Sequence, residues 1–310
     1  MRSYTVIGTG AVGAFYGAKL AAAGHRVRFL GRSDVPALRR DGLRVTSAGG
    51  ELVLDRVDAF DDPTLVPASD VVLVAVKATM PNPAAATLTD LDGGTTAVVS
   101  LQNGLGIEAD LEEACCDRPL AGGLCFIAAN RTAPGRVEHL VGGTVTLAPH
   151  GPAAADAVQA VASDLLGAGV EATTTDDLAG ARWRKLVWNL PFNSLTTLLG
   201  RTPTELLAHP DGSALVRTVL DEVVAAAEAL GHPVSHGYVD GLLNVTRRFP
   251  PYRTSMGLDV AAGRPTEVEV IVGRPVAAGT VAGVDMPVAH ALLRQLRVLT
   301  IPATEPGLHR

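Results

Sequence analysis

The sequence predicts an α/β protein in two parts: a doubly wound parallel sheet over residues 1–175 and an all-α-helical domain over residues 176–310. Three observations predict it. Short apolar, β-branched runs alternate with helix-like stretches up to about residue 149, the pattern of strands buried on both faces. Beyond Asp176 the strand pattern stops and helix-period runs follow, separated by Gly and Pro. The 310 residues, 47% of them hydrophobic, are enough for two domains that each bury a core.

Taken in order, strands are expected at residues 4–7, 26–30, 71–76, 96–100 and 120–126. A further run at 145–147, a Gly/Pro/Ala segment around Gly151, a helix at 153–166 and a strand at 170–174 complete the sheet. Helices are expected at 177–199, 212–230, 235–247, 268–282 and 288–299. Pro191 falls inside the first of these and cannot donate to the Val187 carbonyl, which predicts either a kink or a junction between two helices.

Composition excludes several classes of function. The formal net charge is -6 and the basic residues are scattered, so no continuous surface exists for nucleic acid. Cys115, Cys116 and Cys125 are an odd count without metal-ligand spacing, which fits a reducing compartment and predicts neither disulfides nor a metal site. No signal peptide or membrane span is expected, so the expected location is the cytoplasm. The apolar helices of the second domain, residues 268–282 among them, fit either that domain's own core or a homodimer contact.

Directly after the first strand the chain reads Gly8-Thr9-Gly10-Ala11-Val12-Gly13, then an apolar helix, Gly24 and a second strand. G-x-G-x-x-G in this setting is the dinucleotide-binding pattern of a Rossmann-type domain. One glycine makes the tight turn, one lets the backbone approach a pyrophosphate, and one lets helix and strand pack closely. The second strand ends Phe29-Leu30-Gly31-Arg32-Ser33, where an NAD site usually offers an acid to the ribose. Arg32 and Ser33 suit a 2′-phosphate instead, so NADP(H) is the expected cofactor.

More specific are Leu101-Gln102-Asn103-Gly104 after a strand, Trp183-Arg184-Lys185 with Asn189 and Asn193, and Thr254-Ser255-Met256 with Thr266-Glu267. Spanning both domains and in this order, these residues resemble the ketopantoate reductase (2-dehydropantoate 2-reductase) family. The resemblance implies NADPH-dependent reduction of a 2-oxo acid in pantothenate biosynthesis, with cofactor across the carboxyl ends of the strands and substrate in an interdomain cleft. It implies Lys185 as general acid and Glu267 as its partner or a substrate contact. It further implies Asn189, Asn193 and Ser255 on the substrate, Asn103 near the nicotinamide ribose, and Lys77 near the cofactor, in contact with it or with the substrate carboxylate. Helical spacing agrees independently, since Lys185, Asn189 and Asn193 recur every four residues along one stripe. A protonated Lys meets both the proton-transfer and the electrostatic need where a carbonyl oxygen gains charge. No histidine has a partner at readable spacing, and none is assigned a role.

Two positions depart from the family pattern. Pro203 stands where members acting on ketopantoate often carry Asn, and Tyr252 occupies a place where some use another Asn. Both changes make the pocket less polar around the substrate's tail, which leaves the reaction class intact and opens the identity of the 2-oxo acid. The alternatives are a related reductase of another ketone or an imine, and a non-catalytic NADPH sensor.

Overall fold

The computed structural model describes residues 1–91, 94 and 97–301, so the expected strand start at Thr96 lies outside the described residues. Two compact units emerge, Met1–Arg182 and Trp183–Arg310.

In the first unit the elements run β1 (Ser3–Ile7), α1 (Ala11–Ala22), β2 (Arg26–Leu30), α2 (Val35–Asp41), β3 (Leu43–Ser47), β4 (Gly50–Leu54) and β5 (Asp58–Phe60). They continue as β6 (Val71–Val74), α3 (Pro83–Asp90), β7 (Ala97–Ser100), α4 (Ile107–Cys115), β8 (Leu120–Ala133), β9 (Arg136–Pro149), α5 (Ala155–Gly167) and β10 (Ala172–Thr174). Among the described residues these strands make one sheet in the order β4-β3-β9-β8-β7-β6-β1-β2-β5, with β10 beside β9. From β5 through β2, β1, β6 and β7 to β8 every pairing is parallel. The chain leaves β1 toward β2 and later returns to β1's other side as β6. That reversal opens a crevice at the carboxyl ends of β1 and β6.

The core follows from the pattern of apolar residues. All four residues of β6, Val71-Val72-Leu73-Val74, are buried, as a strand covered on both faces requires. Helix α1 packs on the sheet and on α5, while α3 and α4 pair with each other and α4 lies on β7 and β8. Below the sheet, Asp164 of α5 accepts hydrogen bonds from Tyr4 Oη (2.5 Å) and Arg2 Nη1 (2.7 Å), which ties α5 to the start of β1.

The sheet is mixed rather than wholly parallel. β8 runs 14 residues, about twice the expected length, because it pairs antiparallel with β9 through several register shifts. β3 adds parallel to β9 and pairs antiparallel with β4. The polar stretch Asn130-Arg131-Thr132 hides the outer half of β8 from a hydrophobic-pattern argument. Its only local signal is the Pro134-Gly135 turn, with Gly135 at φ +68°.

The remaining helices are α6 (Leu178–Leu199), α7 (Pro203–Ala208), α8 (Pro210–Ala229), α9 (His236–Thr246), α10 (Ser255–Ala261), α11 (Arg274–Val281) and α12 (Pro287–Leu299). Within the second unit α8 is the hub, packed against α7, α11 and α12 through a fully buried stripe that includes Val216, Val219, Leu220 and Val223. Helix α6 continues unbroken through Pro191, so the expectation of a junction between two helices there is not met. The stretch expected as one helix over 268–282 opens instead with a π turn, Glu269–Gly273, before α11. Helix α7 was not expected, although its signal is local: Thr202-Pro203-Thr204-Glu205 forms a complete capping box with Pro at the first turn.

Candidate active site

At the carboxyl end of β1 the glycine loop turns into α1. Gly8 sits at φ +106°, and a Cβ there would lie 2.8 Å from the Val76 backbone nitrogen. A Cβ at Gly13 would lie 2.1 Å from the Gly8 carbonyl oxygen, so α1 approaches the strand as only glycine allows. At Gly10, in contrast, an added Cβ meets no atom within 4 Å. The middle glycine therefore borders open space at the start of α1, whose first turn carries no acid and no side-chain cap. Those bare N–H groups and that space fit the pyrophosphate of a dinucleotide.

Arg32, two residues past β2, is exposed and makes no hydrogen bond or ion pair among the described residues. The nearby acid is not available in its place. Asp34 is only 2% exposed, and its Oδ1 accepts from Arg131 Nη1 (2.5 Å) and Ser33 Oγ (3.1 Å).

Lys77 and Asn103 follow β6 and β7 at the same edge of the sheet, both half-buried. A buried amide pair organises the loops that carry them. Gln102 Nε2 donates to the Val76 carbonyl (2.9 Å) and to Asn82 Oδ1 (3.1 Å), while Asn82 Nδ2 donates back to Gln102 Oε1 (3.0 Å). Asn82 also caps α3 by accepting from the Ala84 N–H. On the other side of the same backbone, Arg182 Nη1 donates to the Gln102 carbonyl (2.6 Å) and Arg182 pairs with buried Glu108.

In the second unit, α6 carries Lys185, Asn189 and Asn193 at intervals of four, a span of about 12 Å along the axis. Lys185 is half-buried; Asn189 and Asn193 are buried. Asn193 Nδ2 donates to the Asn189 carbonyl (2.9 Å), and its Oδ1 is buried without a hydrogen-bond partner among the described residues. An acceptor left so costs about 1–3 kcal/mol. Trp188, stacked on Phe192 at 4.9 Å, donates to Thr246 Oγ1 (3.0 Å) and fixes α6 against α9.

Ser255 is the exposed first residue of α10. Its position is set by a hydroxyl relay that sequence reasoning missed. The Gly257 N–H donates to Thr254 Oγ1, which lies 2.9 Å from Thr196 Oγ1, which in turn donates to the Phe192 carbonyl. The start of α10 is thus pinned to α6. Glu267 is buried (7% exposed) two residues ahead of the π turn, a helical irregularity that often accompanies functional sites. Pro203 is buried at the first position of α7, and Tyr252 is half-buried with its ring 6.2 Å from Phe249. Burial pushes the Tyr252 phenol well above its ordinary pKa, so it remains a neutral hydroxyl.

The candidate residues thus form two groups, one per unit. Gly8 to Gly13, Arg32, Lys77 and Asn103 gather at the carboxyl edge of the sheet, and Lys185, Asn189, Asn193, Ser255 and Glu267 belong to the helical unit. Among the described residues no group of three His, Cys, Asp or Glu is placed to hold a metal, and no helix is long and apolar enough to cross a membrane. Cys115 and Cys125 are buried, and Cys116 is exposed.

Comparison with known proteins agrees over both units. The ketopantoate reductase PanE/ApbA family model matches residues 4–152, and the model of that family's C-terminal part matches residues 177–300. A 2-dehydropantoate 2-reductase from Nostoc sp. is 38% identical over 303 residues, covering 96% of this chain and 95% of the relative. The crystal structure of 2-dehydropantoate 2-reductase from Geobacter metallireducens superposes with a TM-score of 0.89 at 36% identity, over 96% of this chain and 99% of that one. The fold is also shared with D-mandelate dehydrogenase, in a structure with NADH and anilino(oxo)acetate, at a TM-score of 0.86 and 22% identity over 96% and 98% of the two chains. With both halves matched in order, this chain belongs to the ketopantoate reductase family and is an oxidoreductase.

Proposed function

We propose that the chain is an NADPH-dependent reductase of a 2-oxo acid, ketopantoate or a close relative of it, with Lys185 as general acid. One observation carries this. Helix α6 presents a cation and two amides on one stripe, and Asn193 keeps a buried acceptor without a partner among the described residues. A substrate hydroxyl or a comparable donor would satisfy that acceptor, and a site built to bind a hydroxyl discriminates strongly in its favour.

The cofactor would be held by the Gly8–Gly13 loop at its pyrophosphate, with Arg32 on a 2′-phosphate and Lys77 and Asn103 nearer the nicotinamide end. When bound, the nicotinamide supplies a hydride. Lys185 delivers the proton to the carbonyl oxygen, and its charge opposes the negative charge that develops there. Glu267 holds the Lys185 ammonium or contacts the substrate. Asn189, Asn193 and Ser255 orient the substrate's carboxylate and hydroxyl.

Pro203 and Tyr252 favour a second version of the same reaction. A proline with no N–H and a ring packed near Phe249 replace amides around the substrate's tail, which suits a less polar 2-oxo acid. NADPH absorbance followed with ketopantoate and a panel of other 2-oxo acids, with NADH for comparison, tests both. Rapid oxidation with ketopantoate supports the first version, and turnover confined to another 2-oxo acid supports the second. Tight NADPH binding with no turnover on any of them would instead mark a cofactor sensor.

A further inference from the structure

We propose that Arg182 is a positioning residue for this reaction: paired with Glu108, it holds the Gln102 carbonyl and thereby the backbone that presents Asn103. The role rests on the proposal that Asn103 serves the nicotinamide end of the site.

Four segments of the first unit meet at the pair. Glu108 lies in the first turn of α4, Arg182 in the first turns of α6, Gln102 just past β7, and Gly122 on β8. The side chains of Arg182 and Glu108 are 3% and 6% exposed. Room for them depends on Gly122, where an added Cβ would lie 2.6 Å from Glu108 Oε1. The guanidinium spends Nη2 on Glu108 and Nη1 on the Gln102 carbonyl (2.6 Å), and its buried Nε has no partner among the described residues.

Stability alone does not account for such a pair. Taking two charges out of water costs about as much as their attraction returns, and apolar residues of similar volume often serve a fold as well or better. What apolar residues cannot do is donate to a chosen carbonyl. That carbonyl belongs to the residue immediately before Asn103. On the opposite side, the Gln102 side chain holds the Val76 carbonyl next to Lys77. Gln102 is therefore gripped from both sides, by Arg182 through its backbone and by Asn82 and Val76 through its amide. Two candidate cofactor residues hang on that one anchored residue.

The double variant Arg182→Met/Glu108→Leu removes the donor and both buried charges together. Arg182→Lys keeps a cation beside Glu108 but loses the fork that reaches two acceptors at once. Two measurements are made on each, with thermal melting as the control for folding. Amide hydrogen exchange over residues 101–106 needs no substrate and should accelerate about tenfold or more, while peptides elsewhere keep their parental rates. Single-turnover NADPH oxidation should slow by roughly 10- to 100-fold with the NADPH dissociation constant within about threefold of the parent, because misplacement by an ångström acts on the chemical step. Parental exchange over residues 101–106 in either variant that melts like the parent overturns the inference, as does a parental oxidation rate. If none of the 2-oxo acids makes the parent oxidise NADPH, the proposed reaction fails, and exchange alone decides whether Arg182 anchors the loop.

Discussion

Replacing Arg32 by Ala should change which nicotinamide nucleotide the protein prefers and little else. The side chain is exposed and makes no hydrogen bond or ion pair among the described residues, so its removal leaves no buried polar group unpaired. A charge-assisted hydrogen bond to phosphate is worth about 1.5–3 kcal/mol, and about 1.4 kcal/mol is a factor of ten, so the loss converts to roughly 12- to 140-fold. An exposed guanidinium works partly in water, which places the expectation at the lower end, about tenfold. Asp34 does not offset the change, because Arg131 holds it buried at 2.5 Å. The assay is kcat/KM for NADPH and for NADH in parent and variant at fixed ionic strength. The NADPH value should fall about tenfold while the NADH value stays within about twofold. Raising the salt concentration should shrink the parent's preference toward the variant's, since exposed charges are screened within about 10 Å at 0.1 M. A ratio of the two values that moves less than about threefold would refute the assignment of Arg32 to the 2′-phosphate.

Lys185→Ala should lower turnover by about 10²- to 10⁴-fold and leave NADPH affinity nearly intact, measured by stopped-flow oxidation beside a fluorescence titration; activity within a few-fold of the parent would rule out its role as general acid. Gly13→Ala should cost about 1–3 kcal/mol in chemical denaturation and weaken NADPH binding, because its Cβ would lie 2.1 Å from a backbone oxygen that no rotamer change can relieve. Parental stability and binding in that variant would contradict the close packing of α1 on β1. Asp164 gives a pH prediction. Burial alone would raise its pKa, but hydrogen bonds from Tyr4 and Arg2 outweigh burial and bring it below the ordinary carboxylate value. Its contribution to stability is therefore complete above the unfolded-state pKa of about 3.9 and is lost as pH falls through the lower folded-state value. Urea melts at pH 7 and pH 3 should show the parent losing more stability across that interval than Asp164→Asn, and equal losses would contradict the linkage.

Much of the site was legible because its signals are local. The six residues from Gly8 to Gly13 carry their backbone demands in their own composition, and spacing by four places Lys185, Asn189 and Asn193 on one stripe wherever the helix lies. The capping box at Thr202 and Glu205 is equally local, yet the helix it starts was not expected. The residues that hold these groups in place were not legible. Arg182 and Glu108 are 74 positions apart, and Thr196 and Thr254 are 58 apart. No periodicity links such pairs, and each residue alone looks like an ordinary surface type. The outer half of β8 escaped for a related reason, since Asn130-Arg131-Thr132 becomes strand only through pairing with β9.

By itself the sequence determined the two-part α/β and helical class, the glycine loop and the order of chemistry-bearing residues along the chain. Those features rest on hydrophobic periodicity and backbone sterics, which act over a few residues. Only the tertiary structure decided that the sheet is mixed, that α6 runs through Pro191, that Asp34 is sequestered by Arg131, and that Asn193 retains a buried acceptor. Each of these depends on which distant residue supplies a partner or withholds one. Burial and hydrogen-bond satisfaction are properties of the packed chain, and no local stretch of sequence contains them.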